Sequence, residues 1–387
     1  MSVSRRSFFH TVGAGAAVLS ADFVVGRGRE ASAAEIQTFD DGFLRIDSNE
    51  NARGPGRSSI EALKGGISAR VGRGYPPDNL MELYTTIGST YGVEPRTNVV
   101  IATGSGPILE AATRAFCTMD KPLVTAAPTF TTCEQTARRM GVPVKMIPVD
   151  KSLGLDVAGM AAAAKGAGLV FFCNPNNPTG TAHGLPTVEK FVRDLAQSSP
   201  GTKVLIDEAY IDYAHDPAVK TAAGLAKELP SVIVARTYSK AHGMAGLRLG
   251  YGLGQPDTIK AVSNAWGLGS INTLTAAAGI ASLRDVKHIE EERAENARVR
   301  DFTLQAFRDM GFEGTNANTN CVFIDIKRPA KDFREACAAL KVRVGRDFPP
   351  YEKTHTRISL GTMEEMKQAV AVFRRVLTAT TSSRAQQ

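Results

Sequence analysis

The chain has 387 residues, of which 43% are hydrophobic and 22% are charged, and it contains 36 glycines and 19 prolines. This is the composition of an ordinary globular protein, sufficient for one large α/β domain and a smaller one. The net charge of +7 is not gathered into a basic run with interleaved aromatic residues, so no nucleic-acid partner is expected.

The first 33 residues have the pattern of an export leader. Paired arginines in SRRSFF (residues 4–9) precede a mildly apolar stretch rich in glycine and alanine, and ASA (residues 31–33) offers small residues for cleavage. This pattern resembles a twin-arginine signal, a route that carries folded proteins, and predicts a periplasmic or extracellular enzyme. A disordered basic arm is the alternative, and cleavage itself stays open. No later run is long and apolar enough to span a bilayer.

Short apolar runs alternate with amphipathic stretches between residues 97 and 254. The strand candidates are NVVIAT, PLVTAAP, VKMIPV, GLVFFCNP, KVLIDEAY, VIVART and LRLGYG. Helical patterns between them include GPILEAATRAFC, TFTTCEQTARRMG and TVEKFVRDLAQ. Near-continuous apolar strands separated by helices predict a large, mostly parallel sheet that is covered on both faces.

The pattern changes after residue 285. VKHIEEERAENARVRDFTLQAFRDMG predicts one long helix, and the short strand candidates NCVFIDI, VRVGRD and TRISLG follow it. This indicates a smaller α+β domain at the C-terminus. The predicted divisions are the leader (1–33), an N-terminal arm and segment (34–74), the large domain (75–284) and the small domain (285–387).

Five cysteines show neither a CxxC motif nor metal-ligand spacing, so no metal site is predicted. Their odd number leaves at least one unpaired, and most lie in apolar patterns where core packing is expected. They are Cys117, Cys133, Cys173, Cys321 and Cys337.

Four polar clusters follow strand candidates: GSG (104–106), NPNNPTG (174–180), DEAY (207–210) and TYSK (237–240). Ligands of doubly wound sheets lie at the carboxyl ends of the strands, so these clusters predict one shared site. Lys240 stands among hydroxyls, glycines and apolar residues, with no acidic neighbour in the sequence. A lysine in such a desolvated place loses proton affinity and becomes a usable amine nucleophile.

Three motifs carry a family resemblance: CNPNNPTGT, LIDEAYIDY and RTYSKAHGMAGLRLGY, in this order. They resemble the fold-type I enzymes that use pyridoxal 5′-phosphate, and among these the histidinol-phosphate aminotransferase branch of the class I/II aminotransferases. The resemblance runs from about Arg45 to Leu377 and includes NEN, GYPPDN and RISLGTMEEM. It implies pyridoxal 5′-phosphate as cofactor, in a large sheet domain joined to a smaller α+β domain.

The resemblance implies a role for each residue around the cofactor ring. Lys240 would form the Schiff base with the cofactor aldehyde and shuttle the proton, and Asp207 would face the pyridine nitrogen. Asn177 and Tyr210 would hydrogen-bond the ring oxygen, and Phe130 would stack on the ring. Without the resemblance, Asp207 could be a helix N-cap and PNNPTG a simple turn.

The phosphate of the cofactor needs amides, hydroxyls and a fixed cation. Ser105 and Gly106 open a predicted helix whose N-terminus presents free amides to an anion. Thr237, Ser239 and Arg248 would supply the hydroxyls and the guanidinium fork.

Other matches concern the partner subunit and the substrate. Tyr75 matches a tyrosine that reaches the phosphate of the neighbouring subunit, which implies a homodimer with shared sites. Arg357 and Arg346 match arginines that grip the anionic group of the substrate, although Arg346 could instead form a structural salt bridge. Asn49 is a candidate for lining the substrate entrance.

Two motifs depart from the family pattern, and they leave the substrate open. The phosphate loop reads GSGP without the usual acidic residues, and NENARGP lacks the usual proline after NEN. We predict an aminotransferase that moves an amino group from an amino acid or related amine to a 2-oxo acid by ping-pong turnover. A decarboxylase, lyase or racemase on the same scaffold is the alternative, followed by a non-catalytic cofactor-binding protein. Donor, acceptor and the nature of the substrate anion, carboxylate or phosphate, stay open.

Overall fold

A computed structural model describes residues 41 to 384 of the chain. The predicted export leader therefore lies outside the described residues. Each helix of the described part is too short or too polar to cross a membrane.

Twelve strands and thirteen helices are formed by the described residues. The strands are β1 (Leu44–Ile46), β2 (Val99–Ala102), β3 (Leu123–Ala127), β4 (Val144–Pro148), β5 (Leu169–Cys173), β6 (Lys203–Asp207), β7 (Val232–Thr237), β8 (Gly250–Leu253), β9 (Glu313–Gly314), β10 (Cys321–Asp325), β11 (Val342–Val344) and β12 (His355–Ser359). The helices are α1 (Arg57–Gly66), α2 (Leu80–Tyr91), α3 (Pro95–Asn98), α4 (Gly106–Phe116), α5 (Thr132–Arg139), α6 (Val157–Ala163), α7 (Leu185–Ser198), α8 (Ala223–Glu228), α9 (Pro256–Ala265), α10 (Thr273–Arg284), α11 (Val286–Asp309), α12 (Ala330–Ala339) and α13 (Met363–Arg384).

Seven strands build the large sheet, in the order β2-β8-β7-β6-β5-β3-β4. Strands β3 to β7 pair in parallel, whereas β8 runs antiparallel to both β2 and β7. The prediction of a mostly parallel sheet is confirmed. The candidate strand LRLGYG is shorter than predicted, because Arg248 has a left-handed backbone with φ of 57° and the strand begins only at Gly250.

Both faces of the large sheet are buried, and the apolar runs explain why. Along β5, Val170 and Phe172 face one core, while Leu169 and Phe171 face the other. Successive side chains of a strand point to opposite faces, so a strand covered on both sides must be apolar throughout. Phe172 stacks on Phe191 of α7 with ring centroids 5.3 Å apart, which anchors that helix on the sheet.

A separate core gathers residues of the C-terminal part. It includes Phe307 of α11 and Phe373 of α13, whose rings stack with centroids 5.4 Å apart. Strand β10 pairs antiparallel with β9 and β12. Strand β1 also joins this part: it pairs in parallel with β11, and Ile46 is buried in the same core. Residues 47 to 51 therefore follow directly on a strand of the C-terminal part. The predicted divisions place them in a separate N-terminal arm and segment. The exact domain boundaries stay a prediction.

Candidate active site

A cavity of about 1000 Å³ opens beyond the carboxyl ends of β6 and β7. Its walls are formed by residues of the large-sheet domain, by residues that follow β1, and by residues in or near β11 and β12. Its lining includes every residue predicted to hold the cofactor within one subunit, and both predicted substrate arginines. The lining residues are Asp47, Ser48, Glu50, Ser105, Gly106, Phe130, Asn177, Asp207, Ala209, Tyr210, Thr237, Ser239, Lys240, Ala245, Arg248, Arg334, Val344, Arg346, Asp347 and Arg357.

Lys240 follows β7 and points its amine at neutral acceptors. Its Nζ donates to the carbonyl oxygens of Asn49 at 2.9 Å and Ser48 at 3.3 Å, and lies 5.6 Å from the centroid of the Tyr210 ring. Burial, and after it the Arg357 guanidinium, lowers the pKa of Lys240 to about 8. A substantial fraction of the amine is therefore neutral near physiological pH, as a nucleophile or proton carrier requires.

Asp207 ends β6 and is buried, with 2% of its surface exposed. Its Oδ1 accepts from the backbone N–H of Ala209 at 3.2 Å. Burial, and after it the charge of the neighbouring Glu208, raises the pKa of Asp207 to about 7. No Lys, Arg or His side chain within residues 41 to 384 forms an ion pair with this carboxylate. A protonated ring nitrogen in the cavity would supply the missing cation.

Behind this carboxylate lies a buried ion-pair network that the sequence analysis did not identify. Arg236 on β7 donates to Glu208 Oε2 at 3.2 Å and to Asp212 Oδ1 at 2.7 Å. Glu208 also accepts from Thr221 Oγ1 at 2.7 Å. Separating the partners of a buried ion pair costs free energy, so this network fixes the ends of β6 and β7 relative to each other. Two sequence features could have indicated this network: Glu208 directly after Asp207 in DEAY, and Arg236 in ARTYSK.

Another part of the cavity lining brings together Arg248 and the start of helix α4. Arg248 donates to Ser239 Oγ at 3.4 Å, to the Ala245 carbonyl at 2.9 Å and to the Thr103 carbonyl at 3.2 Å. Helix α4 begins at Gly106 without a side-chain cap. Pro107 has no N–H and the Ile108 N–H donates to the Ser105 carbonyl at 2.9 Å, so the amide of Gly106 is the one that this first turn offers to a ligand. The positive end of the helix and the guanidinium together offer hydrogen-bond donors and positive charge to an anionic group.

Two arginines face the cavity from the C-terminal part of the chain. Arg357 donates to Asn177 Oδ1 at 2.9 Å and to the Asp47 carbonyl, while its buried Nε has no hydrogen-bond partner in the described chain. The guanidinium carbons of Arg357 and Arg346 lie 4.9 Å and 4.4 Å from the ring centroid of Phe348. Burial, and then the charge of Arg357, lowers the pKa of Arg346. Both arginines line the cavity, so their positive charges face the space that a ligand would occupy.

Sequence reasoning missed the charged residues at the rim. Arg334 on α12 contacts both carboxylate oxygens of Asp347, and Asp47 and Glu50 add two more acids to the lining. Arg334 and Asp347 stand 13 residues apart in the chain and belong to no motif, so no pattern pointed to their pairing.

Two predicted site residues do not line this cavity. Asn49 is buried, and its side chain is bonded to Tyr210, Cys321 and Ser359 instead of lining the substrate entrance. Tyr75 is fully exposed and lines a surface groove outside this cavity. Its place in the site of a partner subunit stays a prediction.

The predicted core role of the cysteines is confirmed, because all five are buried and free. In residues 41 to 384, no group of three or more His, Cys, Asp or Glu side chains could hold a metal ion.

Comparison with known proteins places this geometry among enzymes of one family. The family model described as aminotransferase class I and II matches residues 42–373. The chain is 32% identical over 340 residues to the histidinol-phosphate aminotransferase of Moorella thermoacetica, covering 86% of this chain and 85% of that protein. It is 33% identical to the enzyme of the same name from Limosilactobacillus fermentum, covering 83% and 87%. The structure of histidinol-phosphate aminotransferase from Sinorhizobium meliloti in complex with pyridoxal-5′-phosphate superposes with a TM-score of 0.79, at 26% identity, over 87% and 91% of the two chains.

Proposed function

Because this chain belongs to the class I and II aminotransferases, we propose a role for each group in its cavity. The enzyme is a pyridoxal 5′-phosphate-dependent transaminase, which moves an amino group from a donor amine to a 2-oxo acid. One observation carries the assignment of roles: a lysine of low pKa, an uncompensated buried carboxylate and an anion site line one cavity. These groups fit the aldehyde, the ring nitrogen and the phosphate of the cofactor.

The cofactor, when bound, supplies an aldehyde that condenses with amines and a ring that withdraws electrons from the substrate. Lys240 provides the protein amine and carries the proton to and from the substrate carbon. Asp207 holds the proton on the ring nitrogen, since a carboxylate without a counter-ion binds a cation strongly when buried. Tyr210 and Asn177 hydrogen-bond the ring oxygen, and Phe130 packs against the ring.

The phosphate is held by Arg248, by the hydroxyls of Thr237 and Ser239, and by the Gly106 amide at the start of α4. These groups fix the cofactor at one end of the cavity. Ser105 and Gly106 line that end, and the loop they belong to needs no acidic side chain for this role. The missing acids of GSGP therefore leave the anion site intact.

The substrate is an amine that carries an anionic group, which Arg357 binds with its guanidinium from the wall of the cavity. Arg346 lies close to Arg357 and adds a second positive charge. Similar proteins are named histidinol-phosphate aminotransferases, which supports a donor with a phosphate group. A guanidinium offers two parallel donors to a phosphate or to a carboxylate, so both groups belong to the proposed substrate class.

Single-turnover spectroscopy tests this function. The cofactor-loaded enzyme is mixed with one donor at a time: an amino acid, its decarboxylated amine, or a phosphorylated amino alcohol. We expect the absorption of the aldehyde form to be replaced by that of the amine form, and a 2-oxo acid to reverse the change. Lys240→Ala should bind cofactor and slow this exchange by orders of magnitude. A donor that loses carbon dioxide without amine-form accumulation would indicate a decarboxylase instead.

Arg357 variants in the same assay decide which groups the substrate must carry. We expect Arg357→Ala to lower kcat/KM for anionic donors about 30-fold or more, because truncating one partner of a buried charge pair costs about 2–5 kcal/mol. Arg357→Lys should be nearly as harmful, since a point charge does not reproduce the fork. Equal losses on anionic and uncharged amines would make Arg357 a structural residue.

We further propose that the enzyme is exported in its folded state. The support is the pair Arg5 and Arg6 ahead of an apolar, glycine-rich stretch. Replacing both with lysine should leave active enzyme in the cytoplasm, as measured by fractionation. Continued appearance outside the cytoplasm would exclude a twin-arginine route.

A further inference from the structure

Asn49 forms hydrogen bonds to residues from several of the chain segments around the cavity. It is 1% exposed and lies three residues after β1, in a left-handed backbone conformation with φ of 54°. Its carbonyl accepts from Lys240 Nζ at 2.9 Å and from Asn320 Nδ2 at 3.0 Å. Its side chain contacts Tyr210 on one side and Ser359 on the other.

Hydrogen-bond polarity around the Asn49 side chain is fixed by Ser359. The Asn49 backbone N–H donates to Ser359 Oγ at 2.9 Å, and the serine hydroxyl donates to Asn49 Oδ1 at 2.6 Å. The amide oxygen therefore faces β12 and the amide nitrogen faces away from it. Asn49 Nδ2 donates to Tyr210 Oη at 3.0 Å and to Cys321 Sγ at 3.2 Å.

This polarity determines what the tyrosine can do. A phenol has one hydrogen to donate, and an amide nitrogen cannot accept it. Because Tyr210 Oη accepts from Asn49, its own hydrogen remains free for another acceptor. Burial raises the pKa of Tyr210, so the hydroxyl keeps that hydrogen at physiological pH. Tyr210 lines the cavity, where the cofactor's ring oxygen is an acceptor.

We propose that Asn49 is a positioning residue that acts through Tyr210, donating to its oxygen so that the phenol donates to the ring oxygen of the cofactor. The inference rests on the proposed role of Tyr210. The backbone carbonyl of Asn49 meanwhile holds the Lys240 amine, so one residue sets the place of both groups. Its contacts with Asn320 and Ser359 tie that arrangement to the C-terminal core.

Because the backbone of Asn49 is left-handed, its substitutions can be chosen as a matched set. Asparagine and glycine tolerate a positive φ, whereas alanine is strained there. Asn49→Gly removes the amide and keeps the backbone, and Asn49→Ala removes the amide and adds strain. Asn49→Asp keeps the shape but replaces the donor with an acceptor. The tyrosine would then donate to the carboxylate introduced by this substitution rather than to the cofactor.

The test measures the pH at which the visible absorption of the bound cofactor changes, and the Kd of the apoprotein for pyridoxal 5′-phosphate. A donor to the ring oxygen weakens that oxygen's hold on the proton shared with the nearby nitrogen, so losing it raises the pH midpoint. We expect Asn49→Asp to raise the midpoint by about one pH unit and the Kd about tenfold, since a hydrogen bond to a charged group is worth about a factor of ten. Asn49→Gly, which removes the donor without introducing an acceptor, should shift both less.

Tyr210→Phe separates this inference from the proposed role of the tyrosine. Tyr210→Phe alone should raise the midpoint, and Asn49→Asp added to it should shift the midpoint no further. An unchanged midpoint in Asn49→Asp, or an equal shift with and without the tyrosine, overturns the positioning role. An unchanged midpoint in Tyr210→Phe overturns the proposed tyrosine role, and the inference with it. Apoprotein melting shows whether Asn49→Asp is folded, and Asn49→Gly carries the same comparison if it is not.

Discussion

At the scale of single residues, the groups with proposed roles are distinguished by the partners they lack. Asp207 and Glu208 are adjacent and equally buried, yet Glu208 pairs with Arg236 and Asp207 pairs with no cation in the described part of the chain. Arg357 keeps an unpartnered Nε, and the amine of Lys240 meets only carbonyl oxygens among its hydrogen-bond partners within residues 41 to 384. Asp207, Arg357 and Lys240 also line the same cavity, where a ligand could supply the partners that buried polar groups normally have.

Asp207 should make the stability of the apoprotein depend on pH. Its pKa rises from 3.8 in the unfolded chain to about 7 in the folded protein. Ionisation therefore favours unfolding, and the destabilisation grows as the pH rises through that window. We expect Asp207→Asn apoprotein to gain stability over the parent at pH 8 but little at pH 4, by a few kcal/mol at most, since one pKa unit is about 1.4 kcal/mol.

Denaturant unfolding of both apoproteins at pH 4 and pH 8 measures this difference. The substituted protein should also bind pyridoxal 5′-phosphate more weakly at pH 8, because the partner of the ring nitrogen is gone. A stability difference that is the same at both pH values would mean that Asp207 is already ionised at low pH in the folded protein.

At the scale of elements, β8 and the loop before α4 pack too closely for side chains. A Cβ on Gly250 would lie 2.5 Å from the backbone nitrogen of Ser105. Gly104 has φ of 94°, and a Cβ on it would lie 2.4 Å from Arg248 Nη2. The loop before α4 can therefore lie this close to β8 and to Arg248 because Gly250 and Gly104 have no side chains.

Gly250→Ala should displace this loop. We expect the Kd for pyridoxal 5′-phosphate to rise about tenfold or more, with a loss of about 1–3 kcal/mol in stability, the usual cost of overpacking. Gly252→Ala on the same strand is the matched control, because its Cβ would lie 2.9 Å from the side chain of Val100 and not from the loop. Similar losses of cofactor affinity in both variants, by equilibrium dialysis, would refute the loop argument.

At the scale of the whole molecule, exposed apolar residues of the N-terminal part are relevant to the homodimer that the sequence predicts. Tyr75 is fully exposed, and Ile67 and Met81 are 69% and 40% exposed. Tyr75 also lines a surface groove with Leu80 and Met81. Large apolar side chains clustered on a surface are typical of association between subunits.

Mixing two variants, each expected to have impaired activity, tests whether sites are shared between subunits. Tyr75→Ala and Lys240→Ala subunits are unfolded together and refolded. If Tyr75 serves the partner's site, each mixed dimer has one site with both residues intact. Random pairing should then restore up to about a quarter of the parent activity. Activity no higher than that of the separately refolded variants would place Tyr75 outside the partner's site.

The sequence by itself determined the strands of the large sheet and the positions of Asp207, Lys240 and Arg248 next to the ends of those strands. Apolar strands buried on both faces are legible as continuous runs, and polar residues directly after parallel strands share one edge. Only the tertiary structure decided the pairing of β1 with β11, the inward turn of Asn49 and the contact of Arg334 with Asp347. The partners of Asn49 lie 161 to 310 residues away. Local sequence fixes where a backbone turns, but which distant side chain a polar group meets depends on how the finished elements pack.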